Sequence, residues 1–167
     1  MILSSYLIAS PLGDIMAIAN SKELVLLEFS DSIELDYKKI KLENVYGKIE
    51  SGKNTILEKT EQELHEYFEG KRKIFSIPLE FSGTEFQEKA WKGLENIPYG
   101  ETRNYLEQAT MIENPKAVRA IGGANHNNPI VIIIPCHRVI GKSGKLIGYG
   151  GGLDRKKWLL EHEKKYK

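Results

Sequence analysis

Apolar residues follow different rhythms in the two halves of this chain. Up to residue 30 they cluster or alternate in three short segments, 2–9, 14–20 and 23–30. Pro11-Leu12-Gly13-Asp14 and Asn20-Ser21-Lys22 separate them, and alternation between such turns predicts a small antiparallel meander. Residues 31–53 are rich in lysine and glutamate, show no period and receive no element. From Asn54 to Gly70, Ile56, Leu57, Leu64, Tyr67 and Phe68 recur at helical spacing before a glycine, which predicts a helix. Its His65 has no second ligand at metal spacing and reads as a surface or packing histidine. Residues 74–81 read as a short extended segment that joins the sheet or acts as a linker.

The pattern changes at Ser82-Gly83-Thr84. Phe86, Ala90, Trp91 and Leu94 share one face of a helix capped by Ser82 or Thr84. Ile97-Pro98-Tyr99-Gly100 breaks it. Thr102 is the expected cap of a short helix with Tyr105, Leu106 and Ala109, and Asn114-Pro115 the expected opening of the next. Two short helices joined by a brief turn predict a helix-turn-helix. On the second, Ala117, Val118, Ile121 and Ala124 would face inward, and Lys116, Arg119, Ala120 and Gly123 outward. Gly122 and Gly123 cost about 1 kcal/mol each against alanine inside a helix. A smooth face with one long cation suits the minor groove of a duplex, where a side chain can wedge into the base stack. The competing reading is a Gly/Ala helix packed tightly on its own protein. Ile130–Ile134, uncharged and β-branched, reads as a strand buried on both faces. A final helix, Asp154 to Glu163, carries Lys156, Trp158, Leu159 and Leu160.

Composition narrows the classes. A chain of 167 residues makes one large domain or two small ones, and 28% charged against 41% hydrophobic residues excludes the disordered class. A single cysteine excludes an internal disulfide and any multi-cysteine zinc site, and fits a reducing compartment. No basic-then-apolar leader and no apolar stretch of membrane-spanning length is visible, so a cytoplasmic protein without membrane attachment is expected. The net charge of +1 conceals an asymmetry. Residues 1–81 hold 10 Lys+Arg against 14 Asp+Glu, and residues 82–167 hold 14 against 9. Such an imbalance permits a polyanionic partner for the second half.

That second half also holds the one thiol. The apolar run ends at Pro135, which cannot continue a strand, and the next residues are Cys136, His137 and Arg138. A lone cysteine is ordinarily a small buried hydrophobe. An inert thiol gains nothing from an adjacent imidazole and guanidinium, whereas a thiolate is stabilised by nearby positive charge. Cys136 therefore reads as a nucleophile. Two glycine motifs fail after it. A P-loop needs glycine where Cys136 stands, and a dinucleotide fingerprint needs a βαβ unit and a later acidic residue. The glycines from Gly141 to Gly152 read instead as a mobile wall with Tyr149 as an aromatic plate, and Glu163 as a partner for a histidine.

Several ordered elements resemble the methylated-DNA–protein-cysteine methyltransferases, or O6-alkylguanine-DNA alkyltransferases. They are Pro98-Tyr99-Gly100-Glu101-Thr102 with Tyr105, Asn114 to Ala124, Asn128-Pro129, Ile134-Pro135-Cys136-His137-Arg138-Val139, Gly148-Tyr149 and Trp158 to Glu163. The resemblance covers roughly residues 84–163, and the first 80 match only in style. It implies an α+β fold: a ribonuclease-H-like sheet-and-helix domain, 1–81, then a mostly helical, winged-helix-like domain, 82–167. It implies a DNA repair protein that moves an alkyl group from O6 of guanine, with O4-alkylthymine as a further substrate, irreversibly onto its own Cys136. No cofactor or metal is implied, and a monomer acting on double-stranded DNA through the minor groove is expected.

The same resemblance assigns roles. His137 would be the base through a water, Glu163 would orient it, and Asn128 would brace the preceding turn. Tyr105 would bond N3 of the flipped base, and Arg119 would fill the gap it leaves. The carbonyls of Cys136 and Val139 would read the exocyclic amine, Tyr149 would line the pocket, and Lys156 lies near it. Lys116, Ala120 and Gly123 complete the DNA face. In two respects the chain departs from the family: Gly150 stands where a serine can bond the base oxygen, and the first domain lacks the cysteines with which some members bind zinc. A lesion sensor without transfer, or a cysteine hydrolase, are the competing functions. Retention of Cys136 disfavours the first, and the absence of an evident oxyanion arrangement disfavours the second.

Overall fold

A computed structural model describes residues 2–167. The chain divides into two compact units, the first ending at Phe81 and the second starting at Ser82.

In the first unit the meander forms as β1 (Leu3–Ile8), β2 (Ile15–Ala19) and β3 (Leu24–Phe29), paired antiparallel in order. All six residues of β3 are buried, and Leu3, Ile18, Val25 and Leu26 build a core with Leu35. The unassigned stretch folds too: α1 (Leu35–Tyr46) leads to β4 (Ile49–Ser51), which joins parallel to β1 and sets the order β3-β2-β1-β4. Its period is hidden because Leu42 and Tyr46 pack inward while Tyr37, Ile40 and Val45 are exposed. A lysine even serves the inner face, where Lys38 pairs with the buried carboxylate of Glu28. Asn54 caps α2 (Thr55–Phe68), accepting from Leu57 N at 2.9 Å. The 74–81 segment is no full strand; a single parallel bridge, Leu24 to Leu79, ties it to β3.

In the second unit Thr84 caps α3 (Glu85–Leu94) in a reciprocal box with Gln87. The expected Thr102 cap is displaced. Asn104 holds that place, because Glu107 stands three residues on and completes a second capping box at α4 (Tyr105–Met111). Nor does Asn114-Pro115 open a helix. Glu113 closes α4 in the left-handed region, φ 61°, with Glu113 N bonding Thr110 O and Asn114 N bonding Ala109 O. A further turn, Ala117 N to Asn114 O, then leads to α5 (Val118–His126). α4 and α5 form the helix-turn-helix, packed with α3 on Ala90, Ala109, Ile121 and Ala124. Trp91 Nε1 donates to Ala124 O at 2.8 Å. Val118 sits exposed rather than inward, one turn ahead of that core.

The largest departure is at 130–134. This β-branched run is a coiled turn, with no strand in it. Ile133 N bonds Val131 O at 2.8 Å around Ile132, whose φ is 71°. That is a γ-turn of the rare hand, centred on a β-branched residue. Ile134 N then bonds Ile130 O at 3.0 Å. Burial made the run apolar, and apolarity alone does not distinguish a buried strand from a buried turn. The turn feeds a 3₁₀ turn, Cys136–Arg138, then β5 (Arg103–Asn104) pairs in parallel with β6 (Val139–Ile140). α6 (Leu153–Lys165) starts and ends slightly outside its expected bounds.

Candidate active site

Asn128 explains how the strained turn is held. Its Nδ2 donates to Ile134 O at 2.7 Å and its Oδ1 accepts from Ile130 N at 3.0 Å. A β-branched residue such as Ile132, held at positive φ in this rare γ-turn, costs about 1–3 kcal/mol and persists where its surroundings over-determine it. Here one buried amide bridges both ends of the turn. The same Nδ2 lies 3.2 Å from Cys136 Sγ, so the brace also donates to the sulfur.

Behind the sulfur runs a buried relay. His137 Nε2 meets Glu163 Oε2 at 2.7 Å, and Arg138 Nε meets Glu163 Oε1 at 2.8 Å. Arg138 also donates to Ile97 O at 2.7 Å. Burial pushes the Glu163 carboxyl up, but His137 and Arg138 together outweigh it and hold it well below the usual carboxylate range. Burial, against the pull of Glu163, lowers His137 below the ordinary imidazole value. The two shifts favour opposite charge states of the imidazole. A neutral His137 beside an ionised Glu163 satisfies both directions, since its ring N–H still donates to the carboxylate and the Arg138 guanidinium adds its charge. A carboxylate only accepts, so Nε2 carries the proton and Nδ1 keeps its lone pair. Nδ1 is buried and has no hydrogen-bond partner among the described residues.

The expectation that Arg138 supports a thiolate is therefore corrected. Its guanidinium serves Glu163 and Ile97, and His137 is neutral. Lys156 is a nearer candidate for the supporting charge: burial works against its ammonium, and the Cys136 sulfur works for it. Burial drops Lys156 to about 8, and its Nζ donates to Ile147 O at 2.9 Å and Gly148 O at 3.2 Å. Tyr105 donates to the same Ile147 carbonyl at 2.9 Å.

Cys136 and Tyr105 open onto a cavity of about 160 Å³ walled also by Gly122, Asn125, Tyr149 and Gly150, among others. Only His126 O, at 3.8 Å, lies near a Cβ built on Gly150. Val139 is buried just beyond the nucleophile, and its pairing with Arg103 sets the start of α4 beside it. Lys116, Arg119, Ala120 and Gly123 lie apart from the cavity wall and are exposed. A Cβ on Gly122 or Gly123 would meet nothing within 4 Å, so the glycines do not serve tight packing of this helix on its own protein, which rests on Ile121 and Ala124 instead. Sequence reasoning missed a buried amide pair, Gln108 with Asn125, because neither residue belongs to a motif.

Two family models cover the chain: the ribonuclease-like domain of 6-O-methylguanine DNA methyltransferase matches residues 3–81, and its DNA-binding domain residues 85–165. A methylated-DNA–protein-cysteine methyltransferase of Methanosarcina barkeri is 47% identical over 94% of each chain. The chain belongs to this methyltransferase family. A Mycobacterium bovis member is 58% identical over 61% of this chain and 62% of its own. The Mycobacterium tuberculosis OGT solved in complex with DNA superposes with a TM-score of 0.86 at 39% identity, over 99% of this chain and 94% of that one. The methyltransferase fold is thus the α+β arrangement expected, ribonuclease-like sheet first and DNA-binding helices second.

Proposed function

We propose that this protein repairs DNA by moving an alkyl group from O6 of guanine, with O4-alkylthymine as a further substrate, onto Cys136. The observation that carries this is a lone thiol at a cavity wall beside a neutral, buried imidazole whose other nitrogen is fixed by a carboxylate. His137 Nδ1 takes the thiol proton through one water, and the imidazolium so formed is stabilised by Glu163. The sulfur attacks the alkyl carbon; the S–C bond forms as the C–O6 bond breaks, and the electron pair leaves on the base. Tyr105 turns its hydroxyl from Ile147 O to N3 of that base, the carbonyls of Cys136 and Val139 hold its amine, and Tyr149 stacks beside it. With Gly150 offering no hydroxyl, the base oxygen is left to backbone donors. The thioether has no leaving group, so each molecule acts once and needs no cofactor.

A target inside a duplex must be turned out of the stack, at a cost of a few kcal/mol. α5 supports this step: Arg119 enters the gap from the minor groove while Lys116 meets phosphate and the bare surface at Ala120 and Gly123 admits the backbone. The protein acts as a monomer, in the cytoplasm with its DNA; no helix among the described residues is long and apolar enough to cross a membrane. Intact-mass spectrometry after incubation with a duplex carrying O6-methylguanine tests the reading. One methyl on Cys136, and none on Cys136→Ala, is expected; an unmodified wild-type protein under saturating substrate overturns it.

A further inference from the structure

Gln108 and Asn125 join α4 to α5 through a reciprocal amide pair. Gln108 Nε2 donates to Asn125 Oδ1 at 2.8 Å, and Asn125 Nδ2 donates to Gln108 Oε1 at 2.7 Å. Gln108 is wholly buried, while Asn125 also forms part of the cavity wall. A primary amide has two N–H donors and two acceptor lone pairs. The pair uses one of each on Asn125 and leaves one of each. Neither amide makes another side-chain hydrogen bond among the described residues.

An amide held at a cavity wall with spare donor and acceptor sites is unfavourable against hydrocarbon and satisfied by a hydroxyl. The cavity, about 160 Å³, is close to the size that holds one benzene ring, about 150 Å³. Whatever brings a carbon atom to Cys136 therefore sits against this wall. We propose that Asn125, positioned by Gln108, is a specificity-determining residue that hydrogen-bonds the transferred group. It favours O6-alkyl groups bearing a hydroxyl, such as 2-hydroxyethyl, over hydrocarbon groups of equal length, such as propyl. This rests on alkyl transfer to Cys136: in both cases the S–C bond forms as the C–O6 bond breaks, and the hydroxyl is carried over intact.

The test is a competition. Duplexes carrying O6-(2-hydroxyethyl)guanine and O6-propylguanine are offered together to the full-length protein, and intact mass gives the ratio of the two adducts. Asn125→Leu is expected to lower the hydroxyethyl-to-propyl ratio by about three- to tenfold, the range of one neutral hydrogen bond. Gln108→Leu, which frees the amide to swing, lowers it less. Because both adducts form in one sample, a partly unfolded population cancels from the ratio. The double variant Gln108→Leu/Asn125→Leu strands no amide and supplies the same comparison if a single variant is unstable. An unchanged ratio in Asn125→Leu and in the double variant overturns the proposal. Absence of both adducts on the wild-type protein would instead overturn the transfer reading beneath it.

Discussion

Nε2 of His137 and Oε2 of Glu163 lie 2.7 Å apart, with both side chains shut away from solvent. This contact assigns the imidazole proton and so decides which nitrogen can act as a base. Glu163→Gln removes that assignment, since an amide can donate to Nε2 as well as accept from it. It also leaves the buried Arg138 without its counter-charge. Transfer is expected to slow by about 10²–10⁴-fold, and stability to fall by about 3–5 kcal/mol. Single-turnover kinetics and urea unfolding measure the two; a variant that transfers at the wild-type rate would remove His137 from the chemistry.

Asn128→Asp keeps the shape of the brace but, once ionised, cannot donate to Ile134 O or to the sulfur. A negative charge beside Cys136 also opposes the thiolate. A loss of roughly 2–4 kcal/mol and a transfer rate reduced at least tenfold are expected. Wild-type stability in this variant would mean that the turn around Ile132 holds itself.

Acid acts on the relay in one direction. Burial lowers the His137 pKa below 6.5, so the base stays neutral and competent at pH 6.5 and is lost only as the pH falls further. The unfolded chain protonates this histidine first, so stability declines below pH 6.5. Glu163, whose folded pKa is depressed, adds stability that is full above about 4.5 and is lost as the pH falls toward its folded value. At the alkaline side Lys156 loses its charge near pH 8, and the transfer rate is expected to fall above it. A pH–rate profile in single turnover tests all of this; an acid limb centred above 6.5 contradicts the assignment of His137.

Arg119→Ala is expected to slow repair of duplex DNA about ten- to a hundredfold while leaving transfer from a free O6-alkylguanine base nearly intact. Its binding should also lose about one unit of salt dependence, as for one removed cation. Equal losses on duplex and free base would place Arg119 outside the extrusion step.

Much of the site is legible in the sequence. Cys136, His137, Asn128 and Glu163 stand in ordered motifs, and hydrogen bonds join them in two pairs, Asn128 with Cys136 and His137 with Glu163. What the sequence hid has two physical causes. The expected cap is Thr102, and Asn104 takes its place because Glu107, three residues further on, completes a capping box with it. The buried polar groups escaped because their partners are remote in sequence. Lys156 is defined by carbonyls of the loop before it, Arg138 by Ile97 O, and Gln108 by Asn125. At Ile130–Ile134 the apolar signal reported burial faithfully and said nothing of conformation.

Gly123 sits on α5 with open space where its side chain would be. Alanine there would strengthen the helix by roughly 1 kcal/mol. The free protein thus forgoes robustness at a position that the duplex, in the proposed mode of binding, would crowd. Selection for heat resistance in the absence of DNA damage should accumulate alanine at this position, and the hardened molecules should grip their lesion less well.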